Sequence, residues 1–318
     1  RIRIPMGKIV VVGSSNTDLI AKVKNFPIAG ETIEGLAYMQ AIGGKGANQA
    51  IAAHRIGGDV SFITCLGDDA NGQNTLQYYK EEGLDVSSSL IVKGISSGTA
   101  MIFVDENGEN CIVITPGANN LLTSDYIEKM EANIANAEIV LLQMEIPYDT
   151  VKTVCSLAKK HKKKVILNVA PARELDEEIL KNVDILVVNE TEAETISGEK
   201  IEAVGKEAVI TKLITMGAST VLLTLGKGGC LLKNEHLEIS KKAFAVNTLD
   251  TTAAGDTFCG TLAARLSKGE NWDDVLTFAS AASALCVTRM GAQPSVPTEK
   301  EVLIFLKENK SIFNHKIN

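Results

Sequence analysis

Residues 247–258, with the sequence Asn-Thr-Leu-Asp-Thr-Thr-Ala-Ala-Gly-Asp-Thr-Phe, are the most informative stretch of this chain. Asp256 follows a turn of small residues, Ala253–Gly255, at the point where a long helical pattern begins. The small side chains leave the backbone N–H groups uncovered, and the first N–H groups of a helix have no partner within it. Because they also stand at the positive end of the helix dipole, they can receive an anion. A carboxylate base beside an anion cradle indicates transfer of a negatively charged group, such as phosphate, to a hydroxyl.

The composition limits the classes of protein to which this chain can belong. Its 318 residues allow one large α/β domain or two ordinary ones, and 45% apolar residues with only 4% aromatic ones are typical of a well-cored protein. A net charge of −7 argues against broad electrostatic binding to nucleic acid or acidic membranes. No apolar run reaches the length of a membrane span. We therefore expect neither a nucleic acid nor a membrane as a partner.

The first residues of the chain and its cysteines indicate the cellular compartment of the protein. Arg1–Pro5 lack the apolar core of a secretory signal, and we interpret Met6 as the natural start, with the five preceding residues left over from cloning. The six cysteines are scattered and form no C-x-x-C pair. This pattern gives no support to a disulfide or metal framework and predicts reduced thiols in the cytoplasm.

Short runs rich in Val and Ile alternate with helical patterns over most of the chain. The predicted strands are Ile9–Gly13, Val60–Leu66, Glu138–Met144, Val165–Val169, Ile185–Val188 and Thr220–Leu225. The predicted helices include Gly46–Ile56, Asn71–Glu82, Thr150–His161 and Glu202–Met216. Strands that alternate with helices predict an α/β fold, in which a parallel β-sheet is sandwiched between helices on both faces.

Two segments, 21–42 and 98–116, interrupt this alternation. Each contains short strand-like runs without a helix, and the second predicts a hairpin, Thr99–Val104 and Asn110–Thr115, around an Asn-Gly turn. Paired together, the two segments would form a small β-sheet over the mouth of the α/β domain and act as a lid. Because the chain has no linker or internal repeat, we expect a single domain over residues 6–310 with these lid segments inserted.

Polar residues follow several of the predicted strands. They are Asn16, Asp18, Glu145, Asn189, Glu192 and the run Gly226–Gly229. In open parallel sheets, ligands bind outside the carboxyl ends of the strands, so these positions predict one cleft. Asn189 and Glu192 also match a helix capping box, and the local sequence leaves this reading open beside a role for Glu192 in holding Mg²⁺ through water.

The run Gly43-Gly44-Lys45-Gly46-Ala47-Asn48-Gln49-Ala50 is the second strong signal. Its glycines allow a close approach of the backbone, and Lys45 and Asn48 bring donors suited to hydroxyl groups. A plain glycine turn that caps the next helix is the alternative. Neither the phosphate loop G-x-x-x-x-G-K-[ST] nor a dinucleotide fingerprint after the first strand is present. If this chain uses ATP, it must therefore bind the phosphates with a motif other than these two.

Taken together, the runs at 43–48 and 250–258 resemble the two signature motifs of the PfkB carbohydrate kinase family. Companion segments at 16–18, 189–192 and 291–297 are similar to the ribokinase branch of that family. The resemblance extends from Lys8 to Leu306 with the motifs in the family's order. It departs from the broad family at Ala253, where a glycine is common, but the cradle uses backbone N–H groups, which alanine also supplies.

The resemblance implies a ribokinase-like fold and an ATP-dependent kinase that phosphorylates the 5-hydroxyl of D-ribose. Asp256 would be the base, and the backbone of Ala253, Ala254 and Gly255 would form the anion hole. The positions implied for sugar binding are Asn16, Asp18, Gly44, Lys45, Asn48, Glu145 and Asp256. The positions implied for the nucleotide are Asn189, Thr224, Gly226, Gly229, Gly255 and Ser280.

The same resemblance implies two metal ions and a dimer. Glu192 would take part in the Mg²⁺ network through water. The positions implied for a potassium-type monovalent cation are Asp250, Thr252, Cys286, Arg289, Gly291 and Ser295. A cation there would add positive potential beside the phosphoryl group. Pairing of lid sheets between subunits implies a homodimer.

Three other functions are alternatives to a ribose kinase. The nearest is another kinase of the same family, acting on fructose, a keto-deoxy sugar acid or a nucleoside. The second is a sugar-binding regulatory protein that has lost its chemistry, although the base and the cradle glycine are both present here. The third, an oxidoreductase, lacks its nucleotide fingerprint after the first strand.

Overall fold

The computed structural model describes residues 7–314, so the interpretation of Arg1–Pro5 and Met6 falls outside the described residues. The strands are β1 (Lys8–Val12), β2 (Asn16–Lys22), β3 (Ala37–Gly43), β4 (Asp59–Ile63), β5 (Cys65–Gly67), β6 (Leu90–Val92), β7 (Gly98–Val104), β8 (Asn110–Thr115), β9 (Ile139–Leu142), β10 (Lys164–Asn168), β11 (Ile185–Asn189), β12 (Thr220–Thr224), β13 (Cys230–Asn234) and β14 (Glu238–Lys241). The helices are α1 (Lys45–Arg55), α2 (Ala70–Glu81), α3 (Ser124–Lys129), α4 (Glu131–Ala135), α5 (Tyr148–Lys160), α6 (Glu177–Asn182), α7 (Glu190–Ser197), α8 (Ile201–Val204), α9 (Lys206–Thr215), α10 (Ala254–Ser267), α11 (Trp272–Cys286) and α12 (Glu299–Asn314). Within residues 7–314 no helix combines the length and apolarity that a membrane span requires.

The main sheet has eight strands in the order β14-β13-β12-β11-β10-β9-β1-β4. The six strands from β12 to β4 are parallel, as the alternation of strands and helices predicts. The predicted parallel sheet is confirmed for these six strands, and β13 and β14, which were not predicted, extend one edge with antiparallel strands. Only a short 3₁₀ turn, Gly226–Gly228, joins β12 to β13. A turn of this length can return the chain only as a hairpin, because a parallel connection needs a crossover of a dozen or more residues.

Helices cover both faces of this sheet. Successive side chains of a strand point to opposite faces. Val10 and Val12 accordingly join the core that includes α5 and α9, whereas Ile9 and Val11 join the core that includes α1, α10 and α11. All four side chains are fully buried. The carboxyl ends of the parallel strands therefore share one edge of a rigid, two-sided core.

The lid is a four-stranded sheet with the order β3-β2-β7-β8. The pairing of the two inserted segments is thus confirmed, and β7 and β8 form the expected hairpin. The first strand begins earlier than expected: β2 starts at Asn16 and pairs with both β3 and β7. Asn16 and Asp18 therefore lie within a lid strand rather than in a loop after β1. Polar residues at both positions interrupt the apolar pattern that marks a strand.

Two other elements differ from the prediction. The expected strand Val60–Leu66 is divided, because β4 ends at Ile63 and β5 belongs to a separate two-stranded sheet with β6. The expected helix Glu202–Met216 is broken into α8 and α9 at Gly205, whose φ is 86°. Glycine adopts this left-handed region without a steric penalty, and it commonly ends helices there.

Candidate active site

Asp256 lies in the first turn of α10 and is 7% exposed. Its Oδ2 accepts a hydrogen bond from Asn48 Nδ2 at 3.0 Å, and its Oδ1 accepts one from Gln49 Nε2 at 3.0 Å. Both donors belong to α1, which packs directly against α10. The carboxylate is therefore held in one orientation at the positive end of a helix, as a base beside an anion cradle requires.

The turn that precedes Asp256 has an unusual backbone. Ala253, the N-cap of α10, has φ 59° and ψ 10°, a left-handed conformation that costs an alanine about 1–2 kcal/mol. The N–H of Ala254 donates to Thr251 O at 3.2 Å. A Cβ added to Gly255 would meet nothing within 4 Å, so the cradle is open to a ligand on that side. Glycine at position 253 would remove the steric penalty, which agrees with its frequency in the broad family.

The residues expected to hold the sugar converge from three elements. Asp18 comes from β2, Lys45 starts α1 and Glu145 follows β9. Glu145 Oε2 accepts hydrogen bonds from Ser14 Oγ at 2.6 Å and from the Lys45 N–H at 2.9 Å. Burial and then the charge of Glu145 raise the pKa of Asp18 to about 7. Asp18 is thus a carboxyl group that changes charge near neutral pH.

Asn16 and Gly44 shape the backbone of the same region. Asn16 Oδ1 accepts a hydrogen bond from Asn119 Nδ2 at 2.8 Å, which anchors the start of β2. Gly44 is the N-cap of α1 and has φ 91°. A Cβ there would lie 2.9 Å from the Asn16 N, so only glycine fits this close approach of two backbones.

Lys45 carries the positive charge of the site. Burial by itself lowers its pKa, but the carboxylates of Asp256, Glu145 and Glu192 outweigh burial and raise the pKa above its usual value. An opposite charge a few ångströms away favours the charged form of an ionisable group. The ammonium is therefore retained at neutral pH, among three carboxylates that come from different parts of the chain.

A cavity of about 530 Å³ lies on the other side of the cradle. Five of the positions expected to bind nucleotide line it: Thr224, Gly226, Gly229, Gly255 and Ser280. Apolar side chains that sequence reasoning missed complete its wall, including Phe244, Val246, Phe258 and Val287. Phe244 and Val246 lie in residues 242–252, which have no regular secondary structure, so no periodic pattern could identify them. The cavity combines apolar walls with a polar end beside α10, which suits a flat base joined to phosphates.

Asn189 does not line this cavity in the part of the chain that the structure describes. It is the N-cap of α7, and its Oδ1 accepts from the Glu192 N–H at 2.8 Å while Glu192 Oε2 accepts from the Asn189 N–H at 2.8 Å. The capping-box reading of these two residues is therefore correct. Glu192 is also 7% exposed, and burial is the main cause that raises its pKa.

Residues 7–314 contain no group of three or more His, Cys, Asp or Glu side chains that could hold a metal. Mg²⁺ usually keeps several waters and binds through one or two carboxylates and substrate phosphates. A single buried carboxylate such as Glu192, facing the charges of Lys45 and Asp256, is compatible with that mode.

The positions expected to hold a monovalent cation surround one loop. Asp250 Oδ1 accepts from the Thr252 N–H at 2.8 Å, and Asp250 Oδ2 accepts from the Gly291 N–H at 2.9 Å. Partial burial alone would raise the pKa of Asp250, but these hydrogen bonds outweigh it and lower the pKa. Cys286 Sγ lies 3.1 Å from Ser295 Oγ and 3.6 Å from Thr252 O. The Arg289 N–H donates to Cys286 O at 3.1 Å, so direct contacts join all six positions.

The side chain of Arg289, unlike its backbone, is engaged outside this group. Its Nη2 donates to Glu301 Oε1 at 2.7 Å, so its guanidinium is committed to an ion pair with α12. Only its backbone is available to a cation. Carbonyl oxygens are ligands that suit hard cations, so the loop retains a suitable donor set without the side chain.

Asp256 contacts a group of buried amides, which we call the amide network: Asn48, Gln49, Gln143, Asn168 and Gln293. Sequence reasoning named Asn48 only for the sugar and did not predict the network. Gln143 Nε2 donates to Gln49 Oε1 at 2.7 Å, and Gln49 Nε2 donates both to Asp256 and to Asn168 Oδ1 at 3.0 Å. Gln293 Nε2 donates to Asn48 Oδ1 at 3.3 Å. Gln49 was present in the glycine-rich run quoted above, but its neighbours are far apart in sequence.

Known proteins share this architecture. The pattern of the pfkB family carbohydrate kinases matches residues 6–299. The ribokinase of Haemophilus influenzae is 39% identical over 302 residues, which cover 94% of this chain and 98% of that protein. The deoxyribokinase of Salmonella typhi is 34% identical and covers 95% of this chain and 99% of its own length. The structure of Arabidopsis thaliana ribokinase complexed with ribose and ATP superposes with a TM-score of 0.91 at 33% identity, covering 95% of this chain and 99% of that one. With its sheet, lid, cradle and motifs in this arrangement, the chain belongs to the pfkB family of carbohydrate kinases.

Proposed function

We propose that this protein is a ribokinase, which transfers the terminal phosphoryl group of ATP to the 5-hydroxyl of D-ribose and releases ADP. The observation that carries the proposal is the position of Asp256. Its helix start opens through Gly255 onto the 530 Å³ cavity, while its carboxylate contacts Asn48 on the side of the predicted sugar residues. A sugar hydroxyl and a nucleotide phosphate can therefore meet at one carboxylate. The relatives named ribokinase support the choice of ribose.

In the proposed reaction, Asp256 accepts the proton of the 5-hydroxyl as the oxygen forms its bond to phosphorus. The bond between the β–γ bridging oxygen and the γ-phosphorus breaks, and ADP leaves with the electron pair. Such transfers depend mostly on positioning and on stabilising charge over the phosphoryl oxygens. The N–H groups at the start of α10 and the ammonium of Lys45 supply fixed positive potential there.

The finer assignments of ligand residues belong to this proposal. We assign the sugar to Asn16, Asp18, Gly44, Lys45, Asn48 and Glu145. The nucleotide is assigned to Thr224, Gly226, Gly229, Gly255 and Ser280, with Asn189 acting through the start of α7. The backbone of Ala253–Gly255 is assigned to the transferring phosphoryl group. When bound, Mg²⁺ neutralises phosphate charge, and Glu192 is the residue that we assign to its water shell.

The monovalent cation and the assembly are also proposals. The contacts among Asp250, Thr252 and Gly291 support a K⁺ site at that loop, beside the start of α10. Exposed apolar side chains on the lid support a homodimer: Tyr38, Met39, Met101, Ile112, Val113 and Ile114. All six cysteines are unpaired, which supports a reducing, cytoplasmic location.

An ADP-release assay with ribose, 2-deoxyribose, fructose and adenosine tests the proposal, first with sodium and then with potassium. We expect ribose to give the highest kcat/KM, and ³¹P NMR of the product to identify a phosphate ester on the 5-position. Turnover that favours fructose or adenosine would reject ribose in favour of another kinase of the family. A preference for 2-deoxyribose would move the assignment to the activity of the Salmonella typhi relative.

Two further outcomes have defined meanings. Absence of ADP release with every sugar, together with measurable ribose binding, would identify a non-catalytic sugar-binding relative. Activity on ribose that ignores potassium would keep the kinase and reject the cation site.

A further inference from the structure

Gln49 occupies a position between Asp256 and the interior of the protein. It is fully buried, and its Nε2 lies 3.0 Å from Asp256 Oδ1. The opposite end of its amide, Oε1, accepts a hydrogen bond from Gln143 Nε2 at 2.7 Å. An amide has donors only on nitrogen and acceptors only on oxygen. Asn168 Nδ2 donates to Val187 O at 3.3 Å, which leaves Asn168 Oδ1 to accept from Gln49 Nε2 at 3.0 Å, so the donor end of Gln49 faces the carboxylate.

We propose that Gln49 is a positioning residue for proton transfer, held by Asn168 and Gln143 so that it donates to Asp256 and aims the carboxylate at the acceptor hydroxyl. This inference rests on the proposed kinase function. Asp256 then has one amide donor on each oxygen, Gln49 on Oδ1 and Asn48 on Oδ2. With both oxygens held, the carboxylate cannot rotate away, and each oxygen keeps a second lone pair for the substrate proton.

Burial gives these contacts their strength. Asn48 is 6% exposed and Gln143 is 1% exposed, so water does not compete for either amide. Inside a protein a hydrogen bond is electrostatically stronger than in water, and an unpaired buried donor is correspondingly costly. A misplacement of about 1 Å at a reacting group can lower a rate by about 100-fold. The contact can therefore matter for turnover even though Gln49 itself touches no substrate.

The charged and titratable groups around Asp256 come from four helices. They are Lys45 on α1, Glu192 on α7, Cys259 on α10 and Cys286 on α11. None of them donates to the carboxylate, because the two hydrogen bonds that it accepts from side chains come from neutral amides. Replacing Gln49 with glutamate would put an acceptor where the donor stands and leave two carboxylates sharing one site.

The test compares Gln49→Met, which keeps the length of the side chain but removes the donor, with Gln49→Glu. In Gln49→Met we expect kcat for ribose to fall by about 100-fold while KM for ATP stays within about twofold of wild type, because orientation is lost but the nucleotide site is untouched. In Gln49→Glu we expect the acid limb of the kcat/KM profile to move up by about one pH unit or more, since neighbouring carboxylates do not ionise together.

A second readout does not depend on turnover. In protein labelled with ¹³C at the aspartate carboxyls, the resonance that Asp256→Asn removes reports the titration of Asp256 directly. We expect its midpoint to move upward in Gln49→Glu by the same amount as the acid limb. If wild type turns over no sugar, the kinase proposal fails, whereas this titration still tests the contact.

Gln73→Glu is the matched control, because Gln73 is exposed on α2 and far from the site. Should both Gln49 variants fail to fold, Gln143→Met tests the same idea by releasing the Gln49 amide, with a smaller loss of kcat expected. Folded Gln49 variants with an unchanged pH profile, an unchanged Asp256 midpoint and a kcat within a factor of two of wild type would overturn the proposal.

Discussion

Asp256 is held by uncharged amide donors on both of its oxygens. Asparagine at this position keeps the size of the side chain but cannot accept a proton. In Asp256→Asn we expect kcat to fall by about 10²–10⁴-fold, the usual contribution of a general base, while ribose affinity changes little. Coupled ADP release measures the first quantity, and calorimetric titration of ribose measures the second.

The control for this substitution is Asp59→Asn at the exposed start of β4. It makes the same chemical change away from the cleft and should leave turnover at the wild-type level. Near-normal kcat in Asp256→Asn would remove Asp256 from the role of base.

Asp18 predicts a pH dependence of sugar binding. Its pKa of about 7 means that in the free protein it is mostly protonated below pH 7 and mostly charged above. Sugar hydroxyls that donate hydrogen bonds favour the charged form of a carboxylate. We therefore expect the Kd for ribose to rise as pH falls, approaching about tenfold per unit well below 7. In Asp18→Asn the binding should be weaker, and this dependence should disappear from calorimetric titrations between pH 5.5 and 8.5.

The raised pKa of Asp18 also makes the stability of the folded protein depend on pH. The pKa of Asp18 in the folded protein is raised above its value of 3.8 in the unfolded chain, so ionisation is disfavoured by folding. Its cost is absent below pH 3.8 and grows as pH rises to about 7. Without ligand, Asp18→Asn should therefore raise Tm more at pH 8 than at pH 5. An equal shift at both pH values would argue against the raised pKa.

At the level of elements, the contact between α1 and α10 aligns the site, because α1 carries Asn48 and Gln49 while α10 carries Asp256. The two helices approach closely at Gly260. A Cβ there would lie 2.4 Å from Gln49 O and 2.6 Å from Ala52 Cβ, distances that force the helices apart.

We predict that Gly260→Ala lowers both stability and kcat, although it changes no polar side chain. Overpacking of a core contact typically costs about 1–3 kcal/mol of the free energy of unfolding. Separation of the helices also stretches the hydrogen bonds from α1 to Asp256, so kcat should fall more than KM for ATP changes. Chemical denaturation and ADP release measure the two effects. Gly35→Ala, whose Cβ would come no closer than 3.6 Å to another group, is the control and should have neither effect.

The sequence predicted elements well where a local pattern exists. Periodicity predicts the six parallel strands of the main sheet, turn residues predict the lid hairpin, and small residues before a helical pattern predict the start of α10. The two antiparallel strands β13 and β14 were missed, because their short runs lie beyond the alternation of strands and helices. The start of β2 was missed because two polar residues, Asn16 and Asp18, interrupt the apolar pattern that marks a strand.

The amide network could not be predicted from any local pattern. Gln49, Gln143, Asn168 and Gln293 are separated by 25 to 125 residues and meet only because the sheet order brings β9, β10 and α1 together. Glutamine and asparagine also carry no periodic or charge signal. By contrast, Asp256 could be identified locally, because a carboxylate directly after a turn of small residues predicts a base beside an anion cradle.

At the level of the whole molecule, the lid presents an apolar surface that one subunit leaves uncovered. Val113 on β8 is 53% exposed on one face of the strand, and Ile112 and Ile114 are 48% and 52% exposed on the other. If the proposed homodimer forms through this surface, Val113→Lys should shift it to monomer, because a charge would be buried in the interface. Analytical ultracentrifugation measures the mass, and we expect weaker ribose binding as the lid loses support.

Val204→Lys provides the comparison, since Val204 is 46% exposed on α8, outside the lid. That variant should keep the mass and the ribose affinity of wild type. A wild-type protein that sediments as a monomer at all concentrations would contradict the homodimer and the lid interface together.

The connection between β1, the lid and α1 has a consequence for how this enzyme can diversify. The chain leaves the main sheet at Val12, forms β2 with Asn16 and Asp18, returns as β3 and enters α1 at Gly44. Five of the six residues assigned to the sugar thus lie in one continuous cassette, residues 16–48, with Glu145 outside it, whereas those assigned to ATP lie between residues 189 and 280. Exchange of this cassette between relatives would transplant sugar preference and leave the phosphate machinery in place, so new substrates can be acquired without rebuilding the reaction.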